Sequence, residues 1–243
     1  MKRPVKDIKV AVAFVLVTLT LGATAWWAWH HYMSTPPFVD PDRFPVRGID
    51  ISAHNGYSNL NAVADAGYEF VFIKASEGAD FRDENFVLNY QKARHAGLKV
   101  GAYHYFRFDR DGIDQGMNFL KAVGPRKLDL GLAIDVEEQG NASGVPLDSI
   151  RFRLQTMAEY LNMRGHRVTF YSNRSGWEKY LLDDFEGFPL WICSFTDKNA
   201  MANDWVFWQF DHRGSVPGVR GDVDLNAFHG SRQDWNEWLD CNS

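Results

Sequence analysis

The chain has 243 residues, 45% of them hydrophobic and 15% aromatic, with a net charge of −5. That length supports one large domain with a full core. The first nine residues set Lys2, Arg3, Lys6 and Lys9 against Asp7, a local +3 that leaves −8 on the rest, and an acidic body excludes nucleic acid as a partner because phosphate binding needs a basic footprint.

The basic start over 1–9 is followed by an uncharged apolar stretch over 10–29, with Trp26, Trp27, Trp29 and Tyr32 near its far end. Its length matches a bilayer span, and its aromatic belt and positive flank place the remaining chain on the exported side. The rival reading is a signal peptide cleaved after Ala25, which would release the chain instead. Both export the body; the anchor, giving a single-pass membrane protein, is the preferred expectation. Residues 30–45, with Pro36, Pro37 and Pro41, read as a stiff linker, and 46–243 as one domain.

From Val46 strands and helices alternate. Strands are predicted at 47–52, 70–76, 99–106, 130–138, 167–172, 189–195, 206–210 and 223–228, from short apolar runs bounded by turn residues. Helices are predicted at 59–66, 86–95, 111–123, 147–163, 176–182 and 231–239, several closed by glycine at Gly67, Gly97, Gly124 and Gly165. Eight strands with helices between the early ones predict an α/β fold, an irregular (β/α) barrel. The connections near 196–205 and 211–222 are too short or irregular for full helices, so the helical ring is expected to be incomplete. An open doubly wound sheet is the alternative, but no glycine-rich phosphate loop follows the first strand.

A barrel of this type carries its chemistry at the C-terminal ends of its strands. The fourth strand, L-G-L-A-I-D-V-E-E, ends in Asp135, Glu137 and Glu138. On a regular strand Asp135 and Glu137 share a face, roughly 6.5 Å apart, a spacing suited to acid chemistry on a glycosidic bond. Asp50 ends the first strand. Glu77 ends the second and is equally readable as an ion-pair partner of Lys74. Tyr105 ends the third, and Trp208 lies in the seventh. Asp224 begins the eighth, which is the wrong end for a site acid. His104, between tyrosines, reads as a packed structural residue. No His/Cys cluster has ligand spacing, so neither a metal nor a cofactor is expected. The two cysteines, Cys193 and Cys241, are too few for a disulfide scaffold; Cys193, in an apolar run, reads as a core thiol, with a Cys193–Cys241 bridge as the alternative.

These segments resemble a known family. R-G-I-D-I-S at 47–52, F-I-K-A-S-E-G at 72–78, G-A-Y-H-Y-F at 101–106, A-I-D-V-E-E at 133–138, L-W-I at 190–192, W-Q-F at 208–210 and G-D-V-D-L-N-A-F at 221–228 are similar, in order, to the signature segments of glycoside hydrolase family 25 lysozymes. The resemblance implies an N-acetylmuramidase acting on peptidoglycan glycan strands, at the β-1,4 link from N-acetylmuramic acid to N-acetylglucosamine. It implies Glu137 as proton donor, Asp135 and Asp50 as partner carboxylates that stay ionised, Asp224 as a further groove acid, and Tyr105 and Trp208 as aromatics near the sugar. The sequence departs from the family pattern at His54-Asn55-Gly56, where an aromatic residue and Gln usually precede Gly, and at Ser76, where Thr is usual. A monomer is expected, and a peptidoglycan-binding module without turnover is the competing function.

Overall fold

The computed structural model describes residues 14–27, 39–195 and 205–240. It separates into two compact units, 1–36 and 37–243. In the first, residues 14–27 are helical, and the hydroxyls of Thr18, Thr20 and Thr24 donate to carbonyls three and four residues back. Among the described residues no helix is long and apolar enough to cross a membrane. The rest of the expected 10–29 span lies outside the described residues.

The second unit is a closed barrel. Its strands are β1 (Arg47–Ile51), β2 (Phe70–Glu77), β4 (Lys99–Tyr105), β5 (Leu132–Asp135), β6 (Val168–Asn173), β7 (Leu190–Cys193), β8 (Trp205–Gly214) and β9 (Val223–Phe228), and a two-residue strand β3 (Phe81–Arg82) pairs outside the barrel on β2. The order is β1-β9-β8-β7-β6-β5-β4-β2, closed by a parallel β1–β2 pairing. All eight predicted strands form. The fourth is shorter than predicted at both ends: Gly131, at φ +75°, breaks the extended run before Leu132, and the strand stops at Asp135, so Glu137 does not share a strand face with Asp135 but lies two residues beyond it.

Helices α1 (Leu60–Asp65), α2 (Phe86–His95), α3 (Gly112–Val123) and α4 (Leu147–Asn162) cover the early strands, and α5 (Arg232–Asp240) follows β9. Asp111 caps α3 by accepting from the backbone N–H groups of Ile113 and Asp114, which satisfies two donors the helix cannot use internally. The predicted helix at 176–182 is a single α turn, Arg174–Gly176, running into a π turn, Trp177–Leu181. No helix lies between β8 and β9, so the ring is incomplete there as expected; 196–204 lies outside the described residues.

One consequence corrects the linker boundary. Where helices are missing, the outer face of β7, β8 and β9 is covered by the chain entering the barrel. Val39 and Phe44 are buried there, and the Phe44 ring lies 5.8 Å from Trp205 and 5.9 Å from Trp208. Residues 39–45, proline-flanked and read as linker, are part of the domain.

The barrel interior is aromatic: Phe70, Phe72, Tyr171, Trp191, Phe207 and Phe228 fill it, with Trp235 of α5 joining from below. Such rings fit because two strand positions carry no side chain. A Cβ at Gly48 or Gly101 would fall 2.3 Å from the Phe70 or Phe72 ring, so glycine there is a packing requirement.

β9 runs antiparallel to both of its neighbours. Its N-terminal end therefore lies at the same rim as the C-terminal ends of β1 and β8. This overturns the placement of Asp224 at the wrong end of its strand: Asp224 is the direct register partner of Asp50.

Candidate active site

A cleft of about 790 Å³ opens at that rim, and Asp50, Asp135, Glu137 and Asp224 all line it. Tyr103, Tyr105, Tyr171, Trp191 and Phe195 supply aromatic walls, and among the described residues Lys74 is its one lysine. Each acid is delivered by a strand end: β1, β5, the two residues beyond β5, and β9.

Asp50 is fixed from two sides. Its Oδ2 accepts from Gln209 Nε2 at 2.9 Å and from Asn226 Nδ2 at 2.8 Å. The amide orientations are themselves determined, since Tyr171 Oη donates to Gln209 Oε1 at 2.8 Å and Trp191 Nε1 donates to Asn226 Oδ1 at 2.8 Å. Tyr171 Oη also lies 3.3 Å from Glu137 Oε1. A hydroxyl carries one proton, so Gln209 and Glu137 compete for it as acceptors, and the contact to Gln209 is the shorter. A hydrogen-bonded chain thus runs from Asp50 through Gln209 and Tyr171 to Glu137.

All four carboxyls titrate above their ordinary range. Burial is the largest cause for each. Asp224 is pushed up to about 8, by burial and then by the charge of Asp50 beside it; the pair shares a hydrogen bond, with the proton on Asp224. Asp135 rises well above the usual carboxylate range, through burial and the charge of Glu137. Its Oδ1 is buried without a hydrogen-bond partner. Glu137 is raised by burial and by the charge of Asp50, with Tyr171 opposing. Four carboxyls in one low-dielectric cleft resist ionising together, and the proton on Asp224 leaves the charge of that pair on Asp50.

Two expected groove residues lie elsewhere. Trp208 is buried on the outer face of β8 among Phe44, Trp205 and Phe210, and its Nε1 donates to Ser194 O at 2.8 Å. Successive strand residues face opposite ways, so Trp208 points out and Gln209 points in. Glu77 is off the cleft wall: its carboxylate accepts from Lys74 Nζ at 2.7 Å and from the Arg107 guanidinium. Burial raises the Glu77 pKa, but these two cations outweigh it and the net shift is down. Tyr105 lines the cleft, with its hydroxyl donating to Gln139 O and with Lys74 Nζ and Arg107 Cζ each 5.1 Å from its ring centroid. His104 is fully buried between Ser76 Oγ, at 2.8 Å, and Gln115 Oε1, at 3.2 Å, and burial lowers its pKa to about 4; it is structural. Cys193 is a buried free thiol on the cleft floor, and Cys241 lies outside the described residues. Among the described residues no three His, Cys, Asp or Glu side chains are disposed to hold a metal ion.

Sequence reading missed Tyr171 and Asn226, and placed Gln209 in the seventh strand beside Trp208 without a role. The available signal was position: each is a polar residue in an apolar strand, on the inward-facing alternation.

The sequence matches the family described as Glycosyl hydrolases family 25 over residues 49–219. The chain belongs to glycosyl hydrolase family 25. It is similar to the autolytic lysozyme of Clostridium acetobutylicum, at 34% identity over 184 residues, 75% of this chain and 56% of that protein. The chain thus spans little more than half the length of that relative. It is also similar to lysozyme M1 of Streptomyces globisporus, at 31% identity over 78% of this chain and 70% of that protein. A solved family 25 glycosyl hydrolase from Bacillus anthracis superposes with a TM-score of 0.76 at 29% identity, covering 84% of this chain and 96% of that one. The match ends before Asp224, and the reversed direction of β9 is what returns that residue to the site.

Proposed function

We propose that the enzyme is an N-acetylmuramidase that hydrolyses the β-1,4 bond between N-acetylmuramic acid and N-acetylglucosamine in peptidoglycan, with net retention. The observation that carries this reading is the gathering in one aromatic-walled cleft of four carboxyls, Asp50 and Asp135 buried, Glu137 and Asp224 half-buried, all with raised pKa values. Glycosidic cleavage passes through a transition state with positive charge on the sugar ring. A cleft holding more carboxyls than can ionise together is relieved by that charge, so it favours the transition state over the bound substrate.

Glu137 donates the proton to the departing oxygen; its raised pKa keeps it protonated for that step. Asp135, with its unpartnered Oδ1, accepts the N–H of the substrate's acetamido group and turns the amide oxygen toward the anomeric carbon. Asp50 and Asp224 share one proton and supply the negative charge opposite the ring. The names of the autolytic lysozyme and lysozyme M1 support the substrate class.

The test is release of reducing ends from purified sacculi, with mass spectrometry of the fragments. Wild type should release muropeptides ending in reducing N-acetylmuramic acid, first in the β-anomeric form. Glu137→Gln should lose activity by a factor on the order of 10³ or more while melting like wild type. Undiminished release by that variant removes Glu137 as donor, and fragments ending in reducing N-acetylglucosamine remove the muramidase assignment.

We further propose that residues 10–29 hold the enzyme at the cytoplasmic membrane with the barrel on the exported side. The charge-free apolar sequence supports this, as do the Thr18, Thr20 and Thr24 hydroxyls satisfied within their own helix. Membrane fractionation of the full-length chain, with and without carbonate washing, tests it; recovery in the soluble fraction contradicts an anchor.

A further inference from the structure

We infer that Asn141 is the positioning residue that holds Glu137 in register for proton transfer, an inference that rests on the reading of Glu137 as the proton donor. β5 ends at Asp135, so Glu137 stands two residues beyond the ladder. The last ladder-like bonds are Phe106 N to Asp135 O and Val136 N to Tyr171 O, both at 2.9 Å. Past them a sheet no longer fixes the backbone, yet proton donation requires a fixed carboxyl.

Side chains take over that task. Asn141 Nδ2 donates to Glu137 O at 2.8 Å and to Phe106 O at 2.9 Å, and its Oδ1 accepts from Phe108 N at 2.8 Å. Its own backbone N–H closes the turn onto Glu138 O at 3.1 Å. Both amide hydrogens and the amide oxygen are used, which leaves the group a single orientation. Tyr105 and Arg107 tie the same loop through the carbonyls of Gln139 and Gly140. Among the described residues Asn141 is the side chain that bonds the peptide of residue 137 itself. It clamps the segment carrying the acid to the segment leaving β4. Asn141 lies off the wall of the acidic cleft and lines a separate cavity of about 310 Å³ with Glu138, Lys179 and Tyr180. It therefore acts through Glu137 without touching the glycan.

The test uses the full-length enzyme and two substrates. One is the natural glycan link, whose departing sugar oxygen needs a proton. The other is a dinitrophenyl glycoside of the same disaccharide, whose aglycone leaves without one. Asn141→Ala should lower kcat on the natural link on the order of 10–100-fold, the scale of a misplaced reacting group. KM should stay within about 3-fold, and the loss on the dinitrophenyl substrate should shrink to less than about 3-fold, because general-acid help is not needed there. Asn141→Asp keeps the acceptor for Phe108 N but sets a carboxylate against two carbonyl oxygens, so it should lose more than the alanine variant. Equal losses on both substrates, or no loss, overturn the inference. If the alanine variant does not fold, Asn141→Ser carries the same comparison with one donor restored. Glu137→Gln run in parallel separates the failures: if that variant keeps full activity, the proton-donor reading falls by itself. If it is dead while Asn141→Ala is unimpaired, only the positioning role falls.

Discussion

Asp224 shows how one residue's charge enters the stability of the whole chain. Its ordinary pKa of 3.8 rises to about 8 in the fold, through burial and then Asp50. Between those values the folded state holds a proton that the unfolded state has lost. Fewer protons on the unfolded side means that stability falls as pH rises through the window. The contribution is neutral below about pH 4 and fully unfavourable above about pH 8. Asp224→Asn, which still has an N–H for Asp50, should flatten the stability–pH curve and melt higher than wild type at pH 8, by at least about 1 kcal/mol or roughly 2–4 °C. Activity should drop in the same variant. A curve as steep as that of wild type, in urea titrations at pH 4, 6 and 8, contradicts the shared-proton picture. At this scale the sequence was legible where chemistry and strand ends coincide, as at Asp50 and Asp135. It was misleading at Glu77, because a carboxylate three residues from a lysine reads the same whether it faces ligand or partner.

The strand is the scale at which the remaining misreading arose. W-Q-F supplies one inward and one outward residue next to each other, and nothing within three letters says which is which. The register of β8 against β7 and β9 decides it: Gln209 joins Asp50 and Tyr171, while Trp208 packs beneath Phe44. Two neighbouring substitutions should therefore differ in their effect on catalysis. Trp208→Phe should cost about 1–3 kcal/mol of stability, from the lost Nε1 bond and a small cavity, with KM and kcat close to wild type. Gln209→Leu should leave Tyr171 Oη and Asp50 each short of a partner, lower kcat on the order of 10-fold or more and cost about 1–3 kcal/mol of stability as well. Thermal melts with steady-state kinetics on both variants check this; a KM rise in Trp208→Phe returns that ring to the groove. Strand direction was equally hidden, since the alternation of apolar and polar residues in V-D-L-N-A-F does not say which way the strand is threaded.

On the scale of the molecule, the fold was legible because alternating strand and helix patterns constrain topology strongly. The covering segment 39–45 was not, because a proline-flanked stretch with few apolar residues looks like a tether until a bare strand face is found for it. Phe44→Ala should cost about 3–5 kcal/mol, the usual loss for a buried phenylalanine, and a melt unchanged by that substitution would make the segment a linker after all. A chain starting at residue 37 should melt with the full-length protein, since that unit holds its own core, and should cleave soluble glycan fragments equally well.

The barrel closes through β9, which pairs with β1 and brings Asp224 and Asn226 to Asp50. During synthesis that strand follows β1 at a long distance, with 176 residues separating Asp50 from Asn226. A nascent or truncated chain therefore has an open seam and an incomplete set of acids, however much of the barrel precedes it. A chain truncated before Val223 should therefore lack measurable turnover, so the order in which the strands appear would keep stray fragments harmless.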